Sequence, residues 1–249
     1  MTGGDRMEVA TSTVQVWAAP IEGLSRLLSR HPHIEWMGEA TSGIRFQQGA
    51  WERRIEADRP DLPIKGLIEL MDNNPIVCAD EMSVPGPAST LALIALGPLL
   101  RAGAPLEPPS IAFSFEDSGE DVAAWLATES WTGEAHCVYE PVDAGTVLAC
   151  TGMAVVRTPD SPEEFRSLYE ESFGRSFFVW ERPGPTLPWD EVEGSPYAFY
   201  SVEVSASDEP TCLVAVRVIA DCNGKCGAAQ LVHALNLMAG FEESMGIAE

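Results

Sequence analysis

Three groups of residues in this chain have types and spacings suited to chemistry. In Gly133-Glu134-Ala135-His136-Cys137-Val138-Tyr139-Glu140, an imidazole stands beside a thiol and close to a carboxylate. Such a histidine can transfer protons near neutral pH; a strand-end histidine making a structural hydrogen bond is the competing reading. The run Glu116-Asp117-Ser118-Gly119-Glu120-Asp121 offers paired carboxylates, one of which could have its pKa raised by its neighbours. On so acidic a chain a solvated loop is the favoured reading. The third group is Asp221-Cys222-Asn223-Gly224-Lys225-Cys226-Gly227, small and polar residues with one lysine, set between an apolar strand and a helix. A strand, a small-residue turn and a helix N-terminus together make a place where backbone amides can hold an anion or a polar cofactor group. Cys222, Cys226 and His233 fall short of a zinc site, which needs a second ligand pair, so no metal is expected.

The elements around these groups follow from periodicity. The spacing predicts a strand over 212–220 and a helix over 228–239, with Leu231, Leu235 and Met238 on one stripe and Gly240 as the C′ cap. Upstream, 14–17 reads as a strand, 21–29 as a helix and 34–40 as a strand, giving a β-α-β opening. Residues 41–67 are polar and broken by Pro60 and Pro63, and the next strands expected are 66–71 and 76–79. A helix over 91–101 follows Val84-Pro85-Gly86-Pro87-Ala88-Ser89-Thr90. Further strands are expected at 111–115, 146–157, 177–180 and 197–204, with helices at 122–128 and from Ser161 to about Phe173, the latter opened by a capping-box spacing. Residues 183–188 read as a rigid surface loop.

Several of these stretches match a known pattern. Asp221, Lys225, Ala228, Gln230, Asn236, Leu237, Met238, Gly240 and Glu243 fall in register with the C-terminal signature of N-acetyl-γ-glutamyl-phosphate reductase, a family of semialdehyde-dehydrogenase type. Pro85, Gly86, Thr90 and Leu96-Gly97-Pro98-Leu99-Leu100-Arg101-Ala102-Gly103 resemble that family's N-P-G-C-Y-P-T-A turn and the helix after it. Val192-Glu193-Gly194-Ser195-Pro196 resembles its V-x-G-S-N. The resemblance runs over residues 84–103 and 146–243, and more faintly over 14–42.

That resemblance implies an α/β (α+β) fold with a truncated Rossmann-like layer and a semialdehyde-dehydrogenase-type antiparallel sheet that also serves dimerisation. The first part would span 1–88 with the returning helix 227–241, and the second 89–226. It also implies that Lys225 lies in the turn entering the cleft, although an ion pair with Asp221 would explain the lysine as well. The family chemistry is another matter. Its nucleophilic cysteine corresponds to Pro87, its H-R-H-x-P-E-I histidine motif is missing, and the turn Ala18-Ala19-Pro20-Ile21-Glu22-Gly23 lacks the glycines that let a backbone approach a pyrophosphate.

Composition narrows the partners. With 38 acidic and 15 basic residues in 249, the net charge is −23, which opposes binding to nucleic acid or an anionic membrane. No apolar run reaches membrane-spanning length. Six scattered cysteines in a chain this long read as reduced thiols packed in the core of a cytoplasmic protein. Cys78 is expected to pack in a strand, and His233 to face the polar side of its helix or a dimer contact.

The expectation is therefore a homodimer that needs no cofactor and acts on a small organic molecule by acid–base chemistry: cyclisation, isomerisation or elimination. Lys225, His136, Glu140, Glu116 and Asp117 are the catalytic candidates, and Trp125, Trp131, Tyr139, Trp180 and Trp189 would line a new apolar pocket. The alternatives are a non-catalytic protein that binds a metabolite or supports a partner, and an NADPH-dependent reductase.

Overall fold

The computed structural model describes residues 13–161, 163–184, 186–205 and 209–248. The opening is a β-α-β unit: β1 (Val14–Ala18), α1 (Leu24–Arg30) and β2 (Ile34–Glu39). β1 and β2 pair in parallel, which a helical crossover permits. β3 (Ile44–Gln48) and β4 (Trp51–Ala57) follow as an antiparallel hairpin. Its two-residue turn starts at Gly49, whose φ of 64° suits a turn of the II′ kind. α2 (Asn73–Cys78) then leads into β5 (Glu81–Val84), which lies parallel to β4. The resulting five-stranded sheet has the order β2-β1-β3-β4-β5.

This part of the chain corrects three expectations. The polar stretch after Thr41 holds two sheet strands. The expected strand at 66–71 is a 3-10 turn, Ile68–Leu70, and the expected strand at 76–79 is the helix α2. In both, apolar residues are too few in a row to show which period they follow.

α3 (Pro87–Arg101) begins at Pro87, which is suited to the first helical turn because its missing N–H has no partner there to lose. β6 (Ser110–Phe113), α4 (Val122–Leu126), β7 (His136–Tyr139), β8 (Val147–Arg157), α5 (Glu163–Phe173), β9 (Val179–Glu181), α6 (Trp189–Val192), β10 (Ala198–Val204) and β11 (Thr211–Asp221) come next. They build a six-stranded sheet of order β7-β6-β8-β11-β10-β9. β8 and β11 pair antiparallel along their whole length, from Thr211 opposite Arg157 to Asp221 opposite Val147. The outer pairs β6–β7 and β9–β10 are parallel, so the sheet is mixed rather than antiparallel throughout.

Alternation along β8 and β11 separates two faces. Cys150, Ala154, Val156, Val214, Val216 and Val218 pack with α3, α4 and α5 in one core. α3 can lie close on the sheet because Gly152 has no side chain: a Cβ there would come 2.9 Å from Ala95. The last helix, α7 (Ala228–Ala239), leaves this half and packs into the core of the five-stranded sheet, beside Val14, Val16, Ile44, Phe46 and Ile55. All its residues are buried, and Gly240 closes it in the left-handed region at φ 77°, the cap its sequence predicts.

Candidate functional site

The turn between β11 and α7 is organised by Asp221. This buried carboxylate accepts hydrogen bonds from the amides of Asn223 (2.8 Å), Gly224 (2.9 Å) and Gly194 (2.8 Å) and from the Thr146 hydroxyl. Its lone pairs are thus committed to the backbone of two turns, and no ion pair with Lys225 forms. The Lys225 ammonium reaches instead to the Glu69 carboxylate, 2.6 Å and 2.8 Å from its two oxygens, with both side chains almost wholly buried. His233 completes the cluster. Its Nδ1 lies 3.8 Å from Glu69, and its Nε2 lies 2.9 Å from the partly exposed Glu243 carboxylate. Burial pushes the Glu69 carboxyl up, but the charges of Lys225 and His233 outweigh it and hold the group below the usual carboxylate range. His233 therefore faces neither solvent nor a free surface, contrary to expectation.

A second carboxylate sits at the start of α3. Glu120 accepts hydrogen bonds from the amides of Ala88 (3.1 Å) and Ser89 (2.9 Å), and the Ser118 hydroxyl adds a third at 2.8 Å. The carboxylate satisfies amides that a helix N-terminus leaves open and lies at the positive end of the helix dipole. Gly86 allows the approach, since a Cβ there would meet the Glu120 carboxyl carbon at 2.6 Å. The Cys226 thiol is 3.9 Å from the Pro87 carbonyl oxygen, so a sulfur lies against this turn although the turn's own sequence has none. Burial, with Glu120 adding to it, drives that thiol far above the ordinary cysteine value, which disfavours a nucleophilic thiolate.

The remaining catalytic candidates lie elsewhere. His136 opens β7, the outermost strand of its sheet, and Glu140 directly follows that strand; both are exposed. Glu116 and Asp117 are exposed on the loop after β6, where Asp117 accepts from the Gly119 amide at 2.8 Å. Asp121 caps α4 through the Ala124 amide at 3.0 Å. Lys225 shares no hydrogen bond or ion pair with any of them. The aromatic residues do not form one pocket. Trp125 is buried and donates to Asp58 at 2.9 Å, Tyr139 stacks on Phe113, Trp180 stacks on Tyr197, and Trp189 is exposed. Cys78 is exposed at the end of a short helix rather than packed in a strand.

Among the described residues, two of the cavities lie beside the first sheet, and none of the five catalytic candidates lines either. The larger, about 920 Å³, opens between α1, the turn before β10 and the turn after β11. Gly23, Arg26, Ser195, Asn223 and Ile247 are among its walls. A smaller one of about 580 Å³ lies over the charged ends of β2 to β5. Among the described residues, no cluster of His, Cys, Asp and Glu has a metal-binding arrangement, and no helix is long and apolar enough to cross a membrane.

Comparison with known proteins agrees with this architecture. No protein-family profile matches the chain. N-acetyl-gamma-glutamyl-phosphate reductase of Bacillus mycoides is 34% identical over 121 residues, 48% of this chain and 33% of that protein. The Bacillus cereus protein of the same name is 31% identical over 128 residues, 51% of this chain and 35% of its own length. The matched region thus spans about a third of these relatives. The crystal structure of aspartate semialdehyde dehydrogenase II from Vibrio cholerae, complexed with ASA, superposes with a TM-score of 0.57 at 12% identity, covering 87% of this chain and 94% of that one. The chain therefore has a semialdehyde-dehydrogenase-like fold and, over about half of its length, sequence similarity to N-acetyl-gamma-glutamyl-phosphate reductases. The fold type is the expected one, but the six-stranded sheet is mixed where an antiparallel sheet was expected.

Two residues of the site escape sequence reasoning. Glu69 was hidden in a stretch read as a strand, and its signal was one carboxylate inside the apolar run Leu67-Ile68-Glu69-Leu70-Met71. Glu120 was visible as one of several loop acids, and nothing in the sequence distinguishes it from its neighbours.

Proposed function

We propose that this chain of semialdehyde-dehydrogenase-like fold is a non-catalytic protein that binds a small organic molecule in the 920 Å³ cleft and works as a homodimer. The observation that carries this reading is the Glu120 carboxylate seated on the Ala88 and Ser89 amides. At that turn Pro87 leaves no nucleophile, and the helix dipole is already matched by a side chain of the protein itself. An acid–base enzyme would need its lysine and histidine beside one substrate. Lys225 instead spends its charge on buried Glu69, while His136 stands exposed at a sheet edge.

The dimer reading rests on the face of the six-stranded sheet turned away from α3. Met153, Val155, Leu213 and Ala215 form a partly exposed apolar patch there, in two facing rows on β8 and β11. Such a patch on an otherwise strongly acidic chain fits association with an identical surface. A cytoplasmic setting is consistent with six free thiols, three of them buried.

The test is calorimetric titration of the purified protein with NADPH and, in parallel, NADH. The expected result is no binding at millimolar cofactor, because the turn between β1 and α1 presents Pro20 and Glu22 in place of a glycine-rich cradle. Clear micromolar binding would overturn the proposal and return the chain to the reductases.

A further inference from the structure

The segment 241–248 forms one wall of the cleft, to which it contributes Ile247 and Ala248. It is fastened to α7 by Asn236, whose Nδ2 donates to the carbonyls of Glu243 at 3.0 Å and Met245 at 2.9 Å. The Oδ1 of the same carboxamide lies 3.0 Å from His31 Nε2. Nδ1 of His31 accepts a hydrogen bond from the His33 amide at 3.2 Å. An imidazole nitrogen that accepts carries no proton, so the proton of neutral His31 must be on Nε2, where it donates to Asn236. The ring is buried at 4% exposure, and the segment packs directly upon it. Phe241 lies 5.1 Å from it between centroids, and a Cβ on Gly246 would come within 2.9 Å.

We infer that segment 241–248 is a wall of the cleft that acid releases, held shut at neutral pH by the Nε2-protonated form of His31. A second proton can only go to Nδ1. Two N–H groups, from the His31 ring and the His33 backbone, would then face each other, the ring would have to turn, and the Asn236 bond would be lost with it. Asn236 holds two carbonyls of the segment, so the loss passes directly to the cleft wall. This inference rests on the reading of the cleft as a binding site, because the wall it opens is that of the cleft.

The groups around His31 favour this response. From its own turn the titratable neighbour is His33; α7 presents the neutral Asn236; the segment presents Phe241 and Gly246. Among the described residues, no carboxylate lies within ion-pair distance to compensate a charge on His31. Burial lowers the affinity of the ring for a proton, the Asn236 bond offsets this in part, and His33 lowers it further. His233 Nε2 lies 2.9 Å from Glu243 and its Nδ1 3.8 Å from Glu69, so the near end of the segment has a fastening that does not pass through His31.

The test is hydrogen–deuterium exchange of the ligand-free protein between pH 7.5 and 5, with rates corrected for intrinsic pH dependence. The amides of Ile247 and Ala248, which donate to the Ser244 carbonyl at 3.0 Å and 3.2 Å, should lose protection by up to about tenfold per pH unit below the switching point, as one proton is taken up per opening. The Phe241 amide, which donates to the backbone carbonyl of Asn236 at 2.8 Å, should not. In His31→Gln, whose amide can still donate to Asn236 but cannot titrate, the pH response should vanish. An unchanged profile in the wild type, or the same response in the variant, would overturn the inference. If the variant does not fold, ¹⁵N spectra of the wild-type imidazole give an independent readout: protonation of His31 on Nδ1 at pH 7.5 refutes the latch. Exchange is read without ligand, so its outcome is separable from the question of whether the cleft is ever filled.

Discussion

The Lys225 ammonium lies 2.6 Å from the Glu69 carboxylate with both side chains out of contact with water. This pair joins the turn before α7 to the 3-10 turn before α2 and so ties the two sheets together. Removing one partner leaves the other charge buried alone. Lys225→Met should destabilise the protein by about 3–5 kcal/mol, whereas Lys225→Met combined with Glu69→Leu should recover most of that loss. Chemical denaturation of the three proteins measures it. Because the Glu69 carboxyl is held below its ordinary range, the stability it supplies is present at neutral pH. It is lost only as pH falls below the usual carboxylate value, through the depressed one.

Glu120 caps α3 from a different loop. Glu120→Ala should cost roughly 1–2 kcal/mol, the worth of a good cap with its dipole term. Glu120→Gln should cost less, since the amide oxygen still accepts but carries no charge. Equal losses in thermal unfolding would show that the charge contributes nothing.

Asp221 holds two turns through four donors. Asp221→Ala should cost about 3 kcal/mol or more, because several donors lose their partner together. Thr146→Val removes a single donor and should cost about 1 kcal/mol. Urea midpoints distinguish the two.

Leu213 and Met153 lie on facing strands of the outward sheet face. Leu213→Glu with Met153→Asp should convert a dimer to a monomer in light scattering at micromolar concentration, with circular dichroism unchanged. A wild-type protein that is already monomeric would refute the interface.

How far the sequence foretold the structure depended on which face each residue served. α7 was legible to the residue because every turn repeats an apolar position. β8 and β11 were legible because they are long and β-branched. The β3–β4 hairpin was missed because one inward-facing place is filled by Arg53. This side chain is 1% exposed, yet it reads as polar. Its guanidinium donates to the carbonyls of Ala79 at 2.8 Å and Val77 at 2.7 Å, closing the end of α2, and it stacks on Trp51 at 3.9 Å. Lys225 was singled out because the resemblance places it in the turn entering the cleft, but its ion-pair partner Glu69 was not foreseen. Asp221 is nearer in sequence, and only the fold reveals that its oxygens are taken by amides. His136 and the loop acids have the types that chemistry needs, but topology leaves them on an outer strand and a surface loop.

The placement of α7 has a consequence for how the chain reaches its native state. The five-stranded sheet is encoded upstream, yet about a third of its buried interior is supplied by a helix encoded far downstream, beyond the whole six-stranded sheet. During synthesis the early strands emerge with Val16, Phe46 and Ile55 uncovered and must stay so until α7 arrives. Such long-range closure is slow and leaves apolar strands open to wrong pairings. A nascent chain halted before Ala228 is accordingly a natural client for chaperones, and its aggregation should cease once translation passes Gly240.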